Sequence, residues 1–179
     1  DNVLDRLSHW PELEEQVIRI GDCSDLDKYW RYTIDGVLGP DVSMRRRVEL
    51  LNRKRVMLTT LGSAGLKMMF ENIDPFDLLI IDEASQATEL STLIPFSKLR
   101  DGTGRCVLVG DHKQLPATVI SQKATSYGYN QSLFERMQKV RPQTLLLLDE
   151  QYRMHPEIAS FPSRHFYGGQ LKNGASVRE

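Results

Sequence analysis

Short apolar runs punctuate the chain, and each ends in polar residues. They are Val17-Ile18-Arg19-Ile20, Val56-Met57-Leu58-Thr59-Thr60, Leu78-Leu79-Ile80-Ile81, Cys106-Val107-Leu108-Val109 and Leu145-Leu146-Leu147-Leu148. The last three are continuous, the pattern of strands buried on both faces of a parallel sheet. Between the runs, residues 1–9, Met44 to Asn52, 84–99 and 131–140 carry helical character, with Val3, Leu4 and Leu7 on one face of the first. Residues 22–41, with Tyr29, Trp30, Tyr32 and the Gly39-Pro40 break, predict loop with short helices only. Strands alternating with helices predict βαβ units and a mostly parallel α/β sheet flanked by helices. In such sheets ligands bind at the carboxyl ends of strands, where the polar residues of this chain collect.

Composition narrows the setting. A chain of 179 residues makes about one domain, and at that size roughly 70% of the unfolded surface can be buried. Hydrophobic residues at 40% and charged residues at 26% are those of a globular domain, not of a disordered tail. The formal charge of −1 gives no global attraction to nucleic acid, so any basic surface must be local. No apolar run approaches the roughly 18 residues of a membrane span. Two cysteines, Cys23 and Cys106, are too few for a disulfide scaffold and predict a reducing, intracellular compartment. Both ends read as cuts through something larger: the first residues open directly into a helix, and the last follow a Gly-marked turn.

Three strand ends hold the chemistry. Leu78–Ile81 delivers Asp82 and Glu83 side by side, a pair suited to holding Mg²⁺ through water and to polarising an attacking water. The same residues also suit a plain role, Asp82 capping a following helix and Glu83 in its first turn. Cys106–Val109 leads into Gly110-Asp111-His112-Lys113-Gln114-Leu115-Pro116, and Leu145–Leu148 into Asp149-Glu150-Gln151-Tyr152-Arg153-Met154-His155-Pro156. If all three strands share one sheet, Gln114 and Arg153 arrive at the edge that carries Asp82 and Glu83. A glutamine that senses a γ-phosphate and an arginine that stabilises its developing charge are what phosphoryl transfer requires. For Arg153 the plain alternative is a surface ion pair with Glu150 or Glu157.

These segments resemble superfamily 1 helicases of the up-frameshift-like group. Asp82-Glu83-Ala84-Ser85-Gln86-Ala87-Thr88-Glu89 is similar to motif II, Gly110–Pro116 to motif III, and Gln151–Pro156 to motif IV. Ala117-Thr118-Val119-Ile120-Ser121, Tyr127-Gly128-Tyr129-Asn130-Gln131-Ser132-Leu133-Phe134, Phe161-Pro162-Ser163 and Phe166-Tyr167 through Leu171-Lys172 narrow the resemblance to senataxin-like helicases. Asp1-Asn2-Val3-Leu4 resembles the tail of motif Ia, and Thr59-Thr60-Leu61-Gly62-Ser63-Ala64 the strand-end motif Ic loop that touches the nucleic-acid backbone. An ordinary turn with Ser63 near a cap explains the latter equally well.

The resemblance implies a RecA-like P-loop NTPase fold, with residues 1–179 as part of the first motor domain. It implies an ATP- and Mg²⁺-dependent, 5′-to-3′ helicase on single-stranded RNA or DNA, and residence in the nucleus. It implies Asp82 at Mg²⁺, Glu83 activating water, Gln114 sensing the γ-phosphate and Arg153 neutralising transition-state charge. Thr60, Ser63, Pro116 and Thr118 become candidate nucleic-acid contacts, and the remainder of the helicase core the expected partner.

Two departures qualify it. No glycine is followed by lysine, so the P-loop signature and its strand are absent, and Gly102-Thr103-Gly104-Arg105 precedes a strand as a turn. The interval 22–55 is short where relatives carry a sizeable insertion, which predicts a reduced accessory element. A non-catalytic scaffold, and a P-loop hydrolase that unwinds nothing, remain rival expectations. Arg45-Arg46-Arg47 with Arg53-Lys54-Arg55 predicts a solvated helix face, and Tyr29, Trp30 and Tyr32 predict packing. Met68, Met69 and Phe70 predict core, and the scattered histidines do not predict zinc.

Overall fold

A computed structural model describes residues 2–7 and 9–177. Asp1, Ser8, Arg178, Glu179 and the side chains of Asn2, Met68 and Met69 lie outside the described residues, and with them the core reading of the two methionines and the first residue of the motif Ia tail. Helices α1 (Asn2–Leu7) and α2 (Pro11–Glu14) precede strand β1 (Val17–Ile20), and α3 (Ile34–Leu38) and α4 (Met44–Arg53) lead to β2 (Val56–Thr59). Helix α5 (Lys67–Phe70) precedes β3 (Leu78–Ile81), and α6 (Glu89–Phe96) precedes β4 (Arg105–Leu108). After α7 (Gln122–Ser126) and α8 (Leu133–Val140) come β5 (Glu150–Gln151), α9 (Pro156–Phe166) and β6 (Lys172–Asn173).

Every strand pair is parallel, as the alternation predicts: β1 with β2, β3 with β4, and β5 with β6. The pairs do not merge into one hydrogen-bonded sheet among the described residues. The core forms around β1, whose Val17, Ile18 and Ile20 are buried while Arg19 is half-buried. Ile18 and Ile20 pack with Ile34, Leu51 and Phe70 on one side. Val17 packs with Leu4, Tyr29 and Tyr32 on the other, so two of the aromatics of the 22–41 segment are core, as expected. Gly36 is required in this segment, because a Cβ there would stand 2.0 Å from the Trp30 carbonyl oxygen.

Three expectations need correction. Leu145–Leu148 is not a strand: among the described residues it has no ladder partner, and the strand that follows is only Glu150–Gln151. Apolar character marks what a segment could bury, whereas a strand exists only where a neighbour takes its hydrogen bonds. Nor are β3 and β4 buried on both faces. Leu78 is 51% exposed, Ile80 61% and Val107 47%, while Ile81 on the other face is buried. Finally, the helix expected over 84–99 is broken. A 3₁₀ turn spans Ala84–Gln86, Ala87 is extended, and Thr88 caps α6 by accepting the Ser91 N–H.

Candidate active site at the ends of β3 and β4

The register of β3 on β4, with Ile81 opposite Leu108, brings both strand ends to the same edge. The loops beyond are joined by backbone hydrogen bonds, from Val109 N–H to Ile81 O and from Ala84 N–H to Val109 O, both 2.8 Å. Gly110 makes this approach possible. A Cβ there would lie 2.9 Å from the Ser85 backbone nitrogen, closer than such atoms come. The Ser85 hydroxyl accepts the Asp111 N–H at 3.2 Å and adds a third link. Asp82, Glu83 and Gln114 therefore stand on one edge, as expected.

Asp82 is exposed, and its Oδ1 accepts the Glu83 N–H at 3.0 Å. That leaves its second oxygen toward solvent. Mg²⁺ keeps several waters and is commonly held by one or two carboxylates with substrate phosphates, so one exposed strand-end aspartate fits it. A preformed all-protein cage is not what is found: among the described residues no group of three His, Cys, Asp or Glu could hold a metal.

Glu83 is the one non-glycine residue with positive φ among those described, at φ 52° and ψ 36°. Left-handed backbone in a glutamate is uncommon and costs energy that the surrounding hydrogen bonds must offset. Sequence reasoning did not anticipate it. The conformation turns the chain after Asp82, and Gln86 Nε2 donates to Glu83 Oε2 at 3.0 Å. The plain reading of Glu83 as a residue in the first turn of a long helix fails here, because the helix is not formed.

Gln114 lies at the close of a tight turn. Its backbone N–H donates to Asp111 O at 3.1 Å, and its Nε2 to Asp111 Oδ2 at 2.8 Å. Asp111 Oδ1 accepts the Lys113 N–H at 2.9 Å, and Oδ2 also accepts the Tyr167 hydroxyl at 2.5 Å. Burial pushes the Asp111 carboxyl up, but the bonds from Tyr167, the Lys113 backbone and Gln114 outweigh it and hold it below the usual range. Burial and the bond to Asp111 push the Tyr167 hydroxyl up to about 12. Asp111 and Tyr167 belong to segments the sequence singled out, yet no role was read for either.

Arg153 follows β5, which pairs with β6 and not with β4, so it does not extend from the sheet edge that carries Asp82. Its turn is built by Gln151. Gln151 Oε1 accepts the Arg153 and Met154 N–H groups at 2.9 and 2.8 Å, and its Nε2 donates to Met154 O and Asn173 Oδ1 at 2.7 Å each. The guanidinium itself is exposed and forms no ion pair among the described residues, so the pairing with Glu150 or Glu157 is not made.

The other candidates lie apart. Thr60 and Ser63 follow β2: the Thr60 hydroxyl donates to Ser63 Oγ at 3.0 Å and accepts the Ser63 N–H at 3.2 Å. This is a local turn of the kind the plain alternative describes, closing a 3₁₀ turn over Ser63–Gly65. Pro116 and Thr118 are exposed on either side of the buried Ala117. In the basic cluster, Arg45 pairs with Glu49, and Arg47 pairs with Asp35 while donating to the Pro40 and Val42 carbonyls. Arg45 lies on the solvated face expected of it, whereas Arg47 departs from that expectation: its side chain is only 16% exposed and is turned in to these partners. Cys23 and Cys106 are free thiols, and burial pushes the Cys106 thiol up.

Comparison with known proteins shows what the chain as a whole is similar to. A family model described as an AAA domain matches residues 40–122, and a second with the same description matches 129–179. The chain is 58% identical over 122 residues to "Helicase SEN1" of Saccharomyces cerevisiae, covering 68% of this chain and 5% of that protein. It is 46% identical over 130 residues to "Helicase sen1" of Schizosaccharomyces pombe, covering 73% and 8%. To "Probable helicase senataxin" of Homo sapiens it is 41% identical over 127 residues, covering 64% and 5%. The chain thus spans less than a tenth of the length of these relatives.

Proposed function

The chain belongs to the superfamily 1 helicases of the up-frameshift-like group as a partial RecA-like α/β unit, and from that premise we propose that it carries the water-activating half of an ATP-hydrolysing helicase core. The observation that carries this reading is the hydrogen-bonded union of the Asp82-Glu83 turn with the Gly110–Gln114 loop at one strand edge. Asp82 would hold Mg²⁺, which supplies charge neutralisation at the phosphates. Glu83 takes a proton from water, Gln114 reports the γ-phosphate, and Arg153 meets the charge that develops on it. The phosphate cradle comes from a P-loop outside this chain, and residues 22–55 form a reduced insertion.

Thr60, Ser63, Pro116 and Thr118 face single-stranded RNA or DNA in this reading, with motion 5′-to-3′ and a nuclear setting by likeness to the Sen1 proteins. Exposure of Thr60, Pro116 and Thr118, and small residues in the Thr60–Ala64 loop, support the contact with phosphate. Among the described residues no helix is long and apolar enough to cross a membrane.

The test is Glu83→Gln in a complete helicase core containing this chain. Single-turnover ATP hydrolysis should fall about 10²-fold or more, since general-base catalysis contributes about 10²–10⁴. Nucleotide binding should persist, because the cradle and Mg²⁺ carry it. Turnover equal to that of the unaltered core would remove Glu83 from the role.

A further inference from the structure

Helix α9 has one end near Arg153 and the other on Asp111. Its first residue, Pro156, follows the Gln151-organised turn that bears Arg153, and the His155 ring accepts the Glu157 N–H at 3.3 Å as cap. Its 11 residues span about 16 Å at about 1.5 Å per residue. At the far end Tyr167, the residue that closes the helix, donates its hydroxyl to Asp111 across 56 positions of sequence. From there the chain returns through β6, whose Asn173 accepts from Gln151. The Arg153 turn and the Gln114 turn are thus the two ends of one closed unit, although their strands share no ladder.

We propose that Tyr167 is a positioning residue: its hydroxyl, on Asp111, locks the Asp111–Gln114 turn and fixes the spacing between Gln114 and the segment that carries Arg153. The proposal rests on the helicase reading for its catalytic consequence, but the lock itself is a property of the chain. Asp111 Oδ2 is shared by Tyr167 and the Gln114 side chain, so the hydroxyl sets where the carboxylate sits and the carboxylate sets where the Gln114 amide sits. The acceptor is ionised, which makes these the stronger kind of hydrogen bond. Tyr167 and Asp111 are both only partly buried. Phenylalanine at 167 therefore keeps the ring's packing and lets water reach the carboxylate, so the fold should survive the loss of the hydroxyl.

Tyr167→Phe in the complete core tests this, with hydrogen exchange and steady-state ATP turnover measured on the same protein. Amide exchange at Lys113 and Gln114, whose N–H groups bond Asp111, should quicken while β3 and β4 amides keep their protection. The kcat should fall about tenfold, equivalent to about 1.4 kcal/mol, with nucleotide KM nearly unchanged. Asp111→Asn should lower kcat similarly, and the double variant should lose no more than Asp111→Asn alone, because the two act as one pair. Losses that multiply in the double variant, or unchanged exchange at 113 and 114, would overturn the proposal. Faster exchange along all of α9 would reduce Tyr167 to an ordinary packing residue and overturn it too. If the unaltered core hydrolyses no ATP, the helicase reading fails and takes the kcat effect with it. The exchange measurement then still decides whether the lock exists.

Discussion

Arg153 presents a guanidinium with no carboxylate partner among the described residues, on a turn that Gln151 fixes with four hydrogen bonds. Ordering the backbone while leaving the charged head unpaired and exposed keeps the guanidinium available to a ligand. Arg153→Ala in a complete core should lower kcat by about 10³–10⁵, the range for such arginines in phosphoryl transfer, with little change in nucleotide Kd. Pre-steady-state hydrolysis with a separate binding titration checks it. Lost affinity at unchanged kcat would make Arg153 a ground-state ligand instead. The positions of Asp82, Glu83 and Gln114 were legible because each follows an apolar run that forms a strand, and strand ends are where α/β folds place polar chemistry; Arg153 was singled out behind a leucine run that forms none. The left-handed Glu83 and the Tyr167–Asp111 bond were not legible. The first is a single-residue backbone conformation at a turn joined to the Gly110 loop, and the second joins residues with no shared local pattern.

Among the elements, α8 shows how a short helix is held beside the site. Ser132 is buried at its start and accepts the Glu135 N–H at 3.1 Å, leaving an acidic residue in the first turn where the helix dipole favours it. Arg136 then reaches α6 through a two-pronged bond to Glu89, 2.8 and 2.7 Å, tying α8 to the helix that follows the Asp82-Glu83 turn. Ser132→Ala removes the cap and leaves an orphan N–H, so unfolding free energy should drop by about 1 kcal/mol. A shift in denaturant midpoint at constant slope would record it, and an unmoved midpoint would show that the cap contributes nothing. α4 and α8 agree with the sequence pattern to within two residues because their apolar positions recur at helical spacing. The stretch 84–99 failed that test for a local reason: Thr88 offers the backbone a cap four residues after Ala84, and α6 starts there instead. Leu145–Leu148 failed for a non-local one, the missing neighbour, which no run of leucines can announce.

Over the whole molecule, burial is uneven. β1 is enclosed on both faces, whereas Leu78, Ile80, Val107 and Val109 form an open apolar face on β3, β4 and the residue beyond. Leu145–Leu148 adds a second exposed stretch, with Leu146 89% exposed. Contiguous apolar surface beside unpaired strand edges is adhesive, and a formal charge of −1 offers almost no repulsion between copies. The purified 179-residue chain should therefore self-associate as its concentration rises, and without a P-loop it should hydrolyse no ATP. Ile80 and Val107 are register partners on that open face, so Ile80→Lys with Val107→Glu replaces its centre by a cross-strand ion pair. The paired substitution should leave the parallel ladder and the β1 core intact, because neither side chain is buried. Sedimentation velocity over a concentration series, with circular dichroism as the check on folding, gives the answer. The unaltered chain should move toward heavier species with concentration and the substituted chain should stay monomeric. An unaltered chain that remains monomeric throughout would mean that the open face is not adhesive at this charge.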